Sequence, residues 1–179
     1  MLTIRAEVIQ CLPHLRAFAR SLTGNRERAD DLVQDAIVQA LAAADQFTLG
    51  TNFKAWIFTI LRNRYFNDLR KNKMPLEPIE AADVGSVATP ANHDAGLMFD
   101  EFRRAFMQLS AEQREALILV GASGFSYEEA AKVSDCAVGT IKSRISRARR
   151  ELARLTGRDT ILVDAPATPP ARDPAAHEP

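Results

Sequence analysis

Two cysteines, Cys11 and Cys136, are all that the 179 residues contain, and no Cys-x-x-Cys spacing joins them. A disulfide framework is not expected from this pattern; reduced thiols of a cytoplasmic protein are. His14, His93 and His177 are scattered and sit beside no cysteine pair, so no metal-ligand set and no cofactor is expected. Aromatic residues make up only 7%, while Ala and Leu abound, a balance that favours helix over sheet. Long apolar runs are missing. None approaches the roughly 18 residues a membrane span needs, and the opening MLTIRAEVIQ lacks the apolar core of a signal peptide, so no membrane association is expected. An excess of one charge is missing too, with 23 Lys+Arg against 23 Asp+Glu. That argues against a protein that coats nucleic acid indiscriminately, but binding depends on where charge sits. Finally, there is no Gly-x-x-x-x-Gly-Lys-[Ser/Thr] loop, no His-Glu-x-x-His, and no strand-turn-helix context for Gly121-Ala122-Ser123-Gly124, so an enzyme is not expected.

What is present is helical periodicity. Leu12, Leu15, Ala19 and Leu22 recur at spacings of three and four; after Gly24-Asn25, so do Leu32, Val33, Ala36, Ile37, Ala40 and Leu41. A third run from Phe53 to Leu69 offers Trp56, Ile57, Ile60, Leu61 and Leu69 as its core stripe. Periodicity then lapses. Pro75, Pro78, Pro90, Gly85 and Gly96, with Glu77, Glu80, Asp83 and Asp94, read as a flexible acidic linker. Helical pattern returns with Phe99, Phe102, Phe106 and Leu109. Ser110 with Gln113, and Ser126 with Glu129, form capping boxes in which each side chain satisfies a backbone N–H at a helix start. The last residues are rich in Ala, Pro and acid, as disordered tails are. The expected architecture is all-α: a helical domain over 1–73, the linker over 74–97, a second helical domain over 98–156 and a tail over 157–179.

The second domain carries the chemistry. A helix after Ser126 buries Ala130, Ala131 and Val133; Ser134-Asp135-Cys136-Ala137 forms a short turn; a longer helix follows with Ile141, Ile145, Ala148, Leu152 and Leu155 on one stripe. Short helix, tight turn and longer helix make a helix-turn-helix, with Cys136 expected at the second N-cap, where Ser or Asp caps better. The other faces of that helix carry Lys142, Arg144, Arg147, Arg149, Arg150 and Arg154, and with Arg158 there are seven basic residues against one acid, Glu151. Thr140, Ser143 and Ser146 add short donors near its start. A solvated basic helix has the same composition, but the turn, the caps and the small-residue contact favour a helix lying in the major groove.

Ser126-Tyr127-Glu128-Glu129-Ala130-Ala131 and Val138-Gly139-Thr140-Ile141-Lys142-Ser143-Arg144-Ile145-Ser146-Arg147-Ala148-Arg149 closely resemble region 4 of sigma factors of the extracytoplasmic function (ECF) class. The resemblance covers roughly residues 5 to 155. It implies −35 promoter recognition and puts Lys142, Ser143, Arg144 and Arg147 at DNA, with Thr140 and Arg149 beside them. It also makes Asp30-Asp31-Leu32-Val33-Gln34-Asp35 look like the region 2 helix that docks on the β′ coiled coil of RNA polymerase, the β flap being the second core contact. Asp31, Gln34 and Asp35 form a polar, acidic patch suited to a basic partner, although acidic charge near a helix N-terminus is favourable in its own right. From Asn52 to Lys71, five Lys/Arg alternate with aromatics. Here the resemblance implies −10 recognition of an unstacked strand, with Asn52, Lys54, Arg62, Asn63, Asn67, Arg70 and Lys71 as candidate contacts and the loop from Thr48 to Phe53 cupping a flipped base. Leu49 to Trp56 and Leu61 to Arg64 are similar to the EcfG-type subgroup that serves the general stress response of alphaproteobacteria. That similarity implies a small anti-sigma protein as regulator; the factor is expected to be a monomer when free.

Two other readings compete. A conventional helix-turn-helix regulator reads two half-sites as a dimer, and no dimerisation heptads are evident. A sigma mimic binds an anti-sigma protein without touching DNA, yet here the basic residues from Lys142 to Arg154 are intact.

Overall fold

The computed structural model describes residues 2–48, 50–72 and 93–157. Among these residues there are seven α-helices and no strands: α1 Leu2–Thr23, α2 Arg26–Ala42, α3 Phe53–Asn72, α4 His93–Gln108, α5 Ala111–Leu117, α6 Tyr127–Val133 and α7 Val138–Thr156. A 3₁₀ turn, Ala44–Gln46, follows α2, and a π turn, Ile118–Ala122, prolongs α5. Helix α4 starts at His93, inside the stretch expected as linker up to residue 97. The acidic residues Glu77, Glu80 and Asp83, the tail from Arg158 onward, and Leu49 in the expected base-cupping loop lie outside the described residues.

Helices α1 to α3 pack by their apolar stripes. In α1 the buried register is Val8, Cys11, Leu15, Phe18, Ala19 and Leu22, while Leu12 lies at its flank. Gly24 turns the chain in the left-handed region at φ 69°, where glycine carries no steric cost. The Asn25 side chain then accepts the Arg28 N–H at 3.0 Å and caps α2. Helix α2 buries Ala29, Leu32, Val33, Ala36 and Ala40; Ile37 is half-buried and Leu41 is exposed. Helix α3 buries Phe53, Ile57, Phe58, Leu61 and Tyr65. Trp56, Ile60 and Leu69, expected in its core, are only half-buried. Trp56 instead leans on Phe47 and Phe53, with ring centroids at 5.1 and 5.6 Å.

In the second half, both expected capping boxes are formed, Ser110 with Gln113 on α5 and Ser126 with Glu129 on α6. The helix-turn-helix closes over Ala130, Ala131 and Val133 against Ile141 and Ile145 of the α7 stripe, while Ala148 and Leu152 pack on Ala105, Phe106 and Leu109 of the α4 end, and Leu155, expected on the same stripe, is only half-buried. Asp135 makes the turn at φ 49°, a conformation Asp tolerates better than most side chains. The α7 N-cap is Ala137, not Cys136, and it makes no side-chain capping bond. Gly157, at φ 63°, ends α7.

The two halves share one core, which periodicity alone did not reveal. Phe58 of α3 stacks on Phe18 at 5.0 Å and meets Phe125, which precedes α6, edge-on at 5.1 Å. Arg114 of α5 is 2% exposed. Its Nε donates to the Ser21 carbonyl at 2.8 Å and its Nη2 to that of Leu22 at 2.9 Å. Its Nη1 donates to the carbonyls of Met107 and Leu109. One cation thus satisfies the open carbonyl ends of α1 and α4, where helix dipoles favour positive charge.

Candidate DNA-binding surfaces

Along α7, Lys142, Ser146, Arg147 and Arg150 are exposed, while Thr140, Ser143, Arg144 and Arg149 are half-buried. The buried stripe at 141, 145, 148 and 152 clamps the helix onto α4, α5 and α6 and fixes which face is presented. Lys142 Nζ lies over the Tyr127 ring, 5.7 Å from its centre, which holds the ammonium near the helix start. Ser143 donates its hydroxyl back to the Thr140 carbonyl at 2.9 Å. Arg144 departs from the others. It turns toward α5, with Nη1 3.6 Å from Glu115 Oε2 and 4.0 Å from Cys136 Sγ.

Helix α3 presents two stripes. One consists of Lys54, Phe58, Arg62 and Phe66, each four residues from the last and so on one face, and it meets the second half of the chain. Lys54 Nζ donates to the Ser123 carbonyl and lies 5.1 Å from the Phe125 ring centre. Arg62 Nε donates to Glu115 Oε1 at 2.8 Å, its guanidinium 4.7 Å over the Phe66 ring. Asn52, just before the helix, accepts the Ala55 N–H at 3.0 Å through Oδ1, and its Nδ2 donates to Glu129 Oε1 at 2.8 Å. The other stripe, Asn63, Asn67 and Arg70 with Lys71, is exposed. Arg70 Nη2 donates to Asn67 Oδ1, ordering the pair. Asn63, Asn67 and Arg70 line an open cleft of about 690 Å³ with Arg62, Phe66, Leu69, Glu112, Asp135 and Arg144.

Sequence reading missed Glu115. It is fully buried between the halves, a position that helical pattern alone does not distinguish. Burial pushes its carboxyl above the ordinary glutamate range, while Arg62 first, then Arg144 and the Ser134 hydroxyl, pull it back. Glu115 Oε2 and the buried Ser134 Oγ each lack a hydrogen bond of normal length, so the Oε2 side is held by charge more than by hydrogen bonding.

On α2, Asp31, Gln34 and Asp35 are all exposed on one face. Asp35 pairs with Arg64 of α3 at 2.9 Å. Val38, 61% exposed, and Leu41, 43% exposed, continue the same side at helical spacing, an apolar extension that the acidic pattern did not suggest. No helix among the described residues is long and apolar enough to cross a membrane, and none of their His, Cys, Asp and Glu side chains gather as a metal site.

A helix-turn-helix with a basic second helix, joined to a three-helix unit bearing an acidic and a basic face, is the layout of a transcription initiation factor. Residues 8–74 match the family model for sigma-70 region 2 and residues 99–152 that for sigma-70 region 4. The chain belongs to the sigma-70 family and, within it, to the ECF class. It is 50% identical over 153 residues to the ECF RNA polymerase sigma factor EcfG of Rhodopseudomonas palustris, covering 86% of this chain and 84% of that protein. The sigma factor RpoE of Bartonella quintana, solved in complex with the anti-sigma factor NepR, is 44% identical with a TM-score of 0.72, over 89% of this chain and 99% of that one. The anti-anti-sigma factor PhyR of the same organism, solved with NepR, shares the fold alone, at 17% identity and a TM-score of 0.55 over 84% of this chain and 49% of that one.

Proposed function

We propose that this sigma factor directs core RNA polymerase to stress promoters, reading the −35 element with α7 and the −10 element with α3. The observation that carries the reading is the clamped helix-turn-helix, which presents Lys142 and Arg147 on an exposed face. In this reading Thr140, Lys142, Ser143, Arg144, Arg147 and Arg149 face the −35 duplex. Asn52, Lys54, Arg62, Asn63, Asn67, Arg70 and Lys71 face the −10 strand. Asp31, Gln34 and Asp35 dock on the β′ coiled coil, and the second domain meets the β flap. The factor acts in the cytoplasm, as a monomer when free, without catalysis of its own, and a small anti-sigma protein restrains it. The RpoE–NepR likeness supports that partner. Identity of 44% to a sigma factor, against 17% to an anti-anti-sigma factor, favours this reading over the mimic.

The test is run-off transcription with purified core polymerase on a stress promoter. Product that depends on the added protein supports the reading; no product, with no capture of core in a pull-down, overturns it.

A further inference from the structure

The side chains read above as −10 contacts are not all available in the free chain. Asn52 Nδ2, Lys54 Nζ and Arg62 Nε each donate to an oxygen of the second domain: Glu129 Oε1, the Ser123 carbonyl and Glu115 Oε1. Between the first two and the third, the Phe125 ring sits edge-on against Phe58 and under the Lys54 ammonium. Acceptor oxygens flanking a flat ring, against a stripe of cations and an aromatic, reproduce what a single strand offers, phosphates on either side of a base. Glu115 adds a link to the other DNA-reading helix, since its second oxygen lies 3.6 Å from Arg144.

We infer that the α5–α6 edge of the second domain is an internal stand-in for promoter DNA, covering the Asn52–Lys54–Arg62 face of α3 in the free factor and restraining Arg144 through the same carboxylate. The inference rests on the reading of α3 as the −10 face. Opening of the two domains then exposes that face, while Arg144, which lies in the same domain as Glu115, keeps its contact with that carboxylate. The exposed stripe of Asn63, Asn67 and Arg70 stays open across the cleft, so the covered stripe, not the whole helix, is under this control.

Two substitutions in the full-length chain test it. Glu115→Gln removes the charge that Arg62 and Arg144 share. Glu129→Gln keeps the capping box, because Gln serves there as well as Glu, but it cannot accept from both Ser126 N–H and Asn52. Asn52 cannot compensate by turning its amide, since Oδ1 already accepts from Ala55. Binding of a fluorescent 20-nucleotide mixed-sequence single-stranded DNA is measured by anisotropy, and domain opening by small-angle scattering. The expected result is an increase in radius of gyration and at least a five-fold gain in affinity for Glu115→Gln, with a smaller gain of about two-fold for Glu129→Gln. If Glu115→Gln loses its helical circular dichroism, the Glu129→Gln arm decides alone. Unchanged DNA affinity in a folded variant, whether the variant opens or stays compact, overturns the stand-in. Run-off transcription by the unsubstituted factor separates the two levels. Product with no gain in the variants overturns the stand-in only, while no product overturns the −10 reading and the stand-in with it.

Discussion

Glu115 receives Arg62 of α3 at 2.8 Å on one oxygen and has Arg144 of α7 at 3.6 Å from the other. One buried carboxylate therefore stands between the two helices that carry the candidate DNA contacts.

Arg114 is the other buried charge at the junction. Replacing it with Ala strips the side-chain donor from the buried carbonyls of Ser21 and Leu109 and leaves that of Leu22 with the Tyr65 hydroxyl alone. Hydrogen bonds to a charged group are worth roughly 1.5–3 kcal/mol each, and losses at one site are not additive. Arg114→Ala is expected to lower stability by about 3 kcal/mol in urea unfolding. Arg114→Lys is expected to recover little, because an ammonium cannot reproduce the planar fork. A loss below about 1 kcal/mol would show that water takes over these carbonyls.

Lys142 and Arg147 are exposed, so their reversal tests function apart from folding. Lys142→Glu with Arg147→Glu is expected to cut run-off product at least ten-fold. Thermal stability should stay within the roughly ±0.5 kcal/mol typical of surface changes. Arg144→Glu is a poorer probe, because it sets a second acid against Glu115. Single Ala variants at 142 and 147 should each reduce the salt dependence of promoter binding by about one unit if the side chain meets a phosphate.

The α2 face predicts a different phenotype. Alanine at Asp31, Gln34 and Asp35 together is expected to weaken capture of core polymerase about ten-fold. Stability should be nearly untouched, since the Asp35–Arg64 pair is solvent-exposed on both sides and such pairs contribute about 0–1 kcal/mol. Val38→Asp should weaken capture as well if the apolar extension belongs to the same contact. Full capture by both variants would remove α2 from the docking surface.

Tyr65 donates its hydroxyl to the Leu22 carbonyl at 2.8 Å beside Arg114. Burial raises its pKa above the ordinary 10, with Arg114 opposing. A folded-state value above the unfolded one means that this contribution is complete below about pH 10 and is lost as pH rises from there through the folded value. The melting temperature should thus fall above pH 10, and less steeply in Tyr65→Phe. In a Tyr127→Phe background, the phenolate absorbance near 295 nm should appear later than that of a free tyrosine.

The parts legible in the sequence were those set by local rules. The capping boxes at Ser110 and Ser126, the Gly24-Asn25 break and the α7 stripe each follow from a few neighbouring residues. What failed were choices made by long-range packing. Leu12 and Leu41 fit their helical stripes yet lie at or beyond the edge of the core, because the buried registers are set by the facing helices. The Cys136 cap missed by one residue, since Asp135 takes a left-handed turn and the N-cap falls on Ala137. Arg114 and Glu115 gave no signal, because a charged pair inside a short helix is ordinarily solvated. Their long-range partners, up to 93 residues away in the chain, make them structural. For the candidate contacts, residue type was readable and availability was not: Lys142 and Arg147 are open, whereas Asn52, Lys54, Arg62 and Arg144 are engaged.

Glu129 uses its two oxygens for unrelated tasks, Oε2 closing the α6 cap on Ser126 and Oε1 meeting Asn52. Gln satisfies the first task and loses the second, and Asp falls a methylene short of the cap. The position therefore admits one letter of the alphabet where either task alone would admit several, and drift there is confined unless Asn52 changes as well.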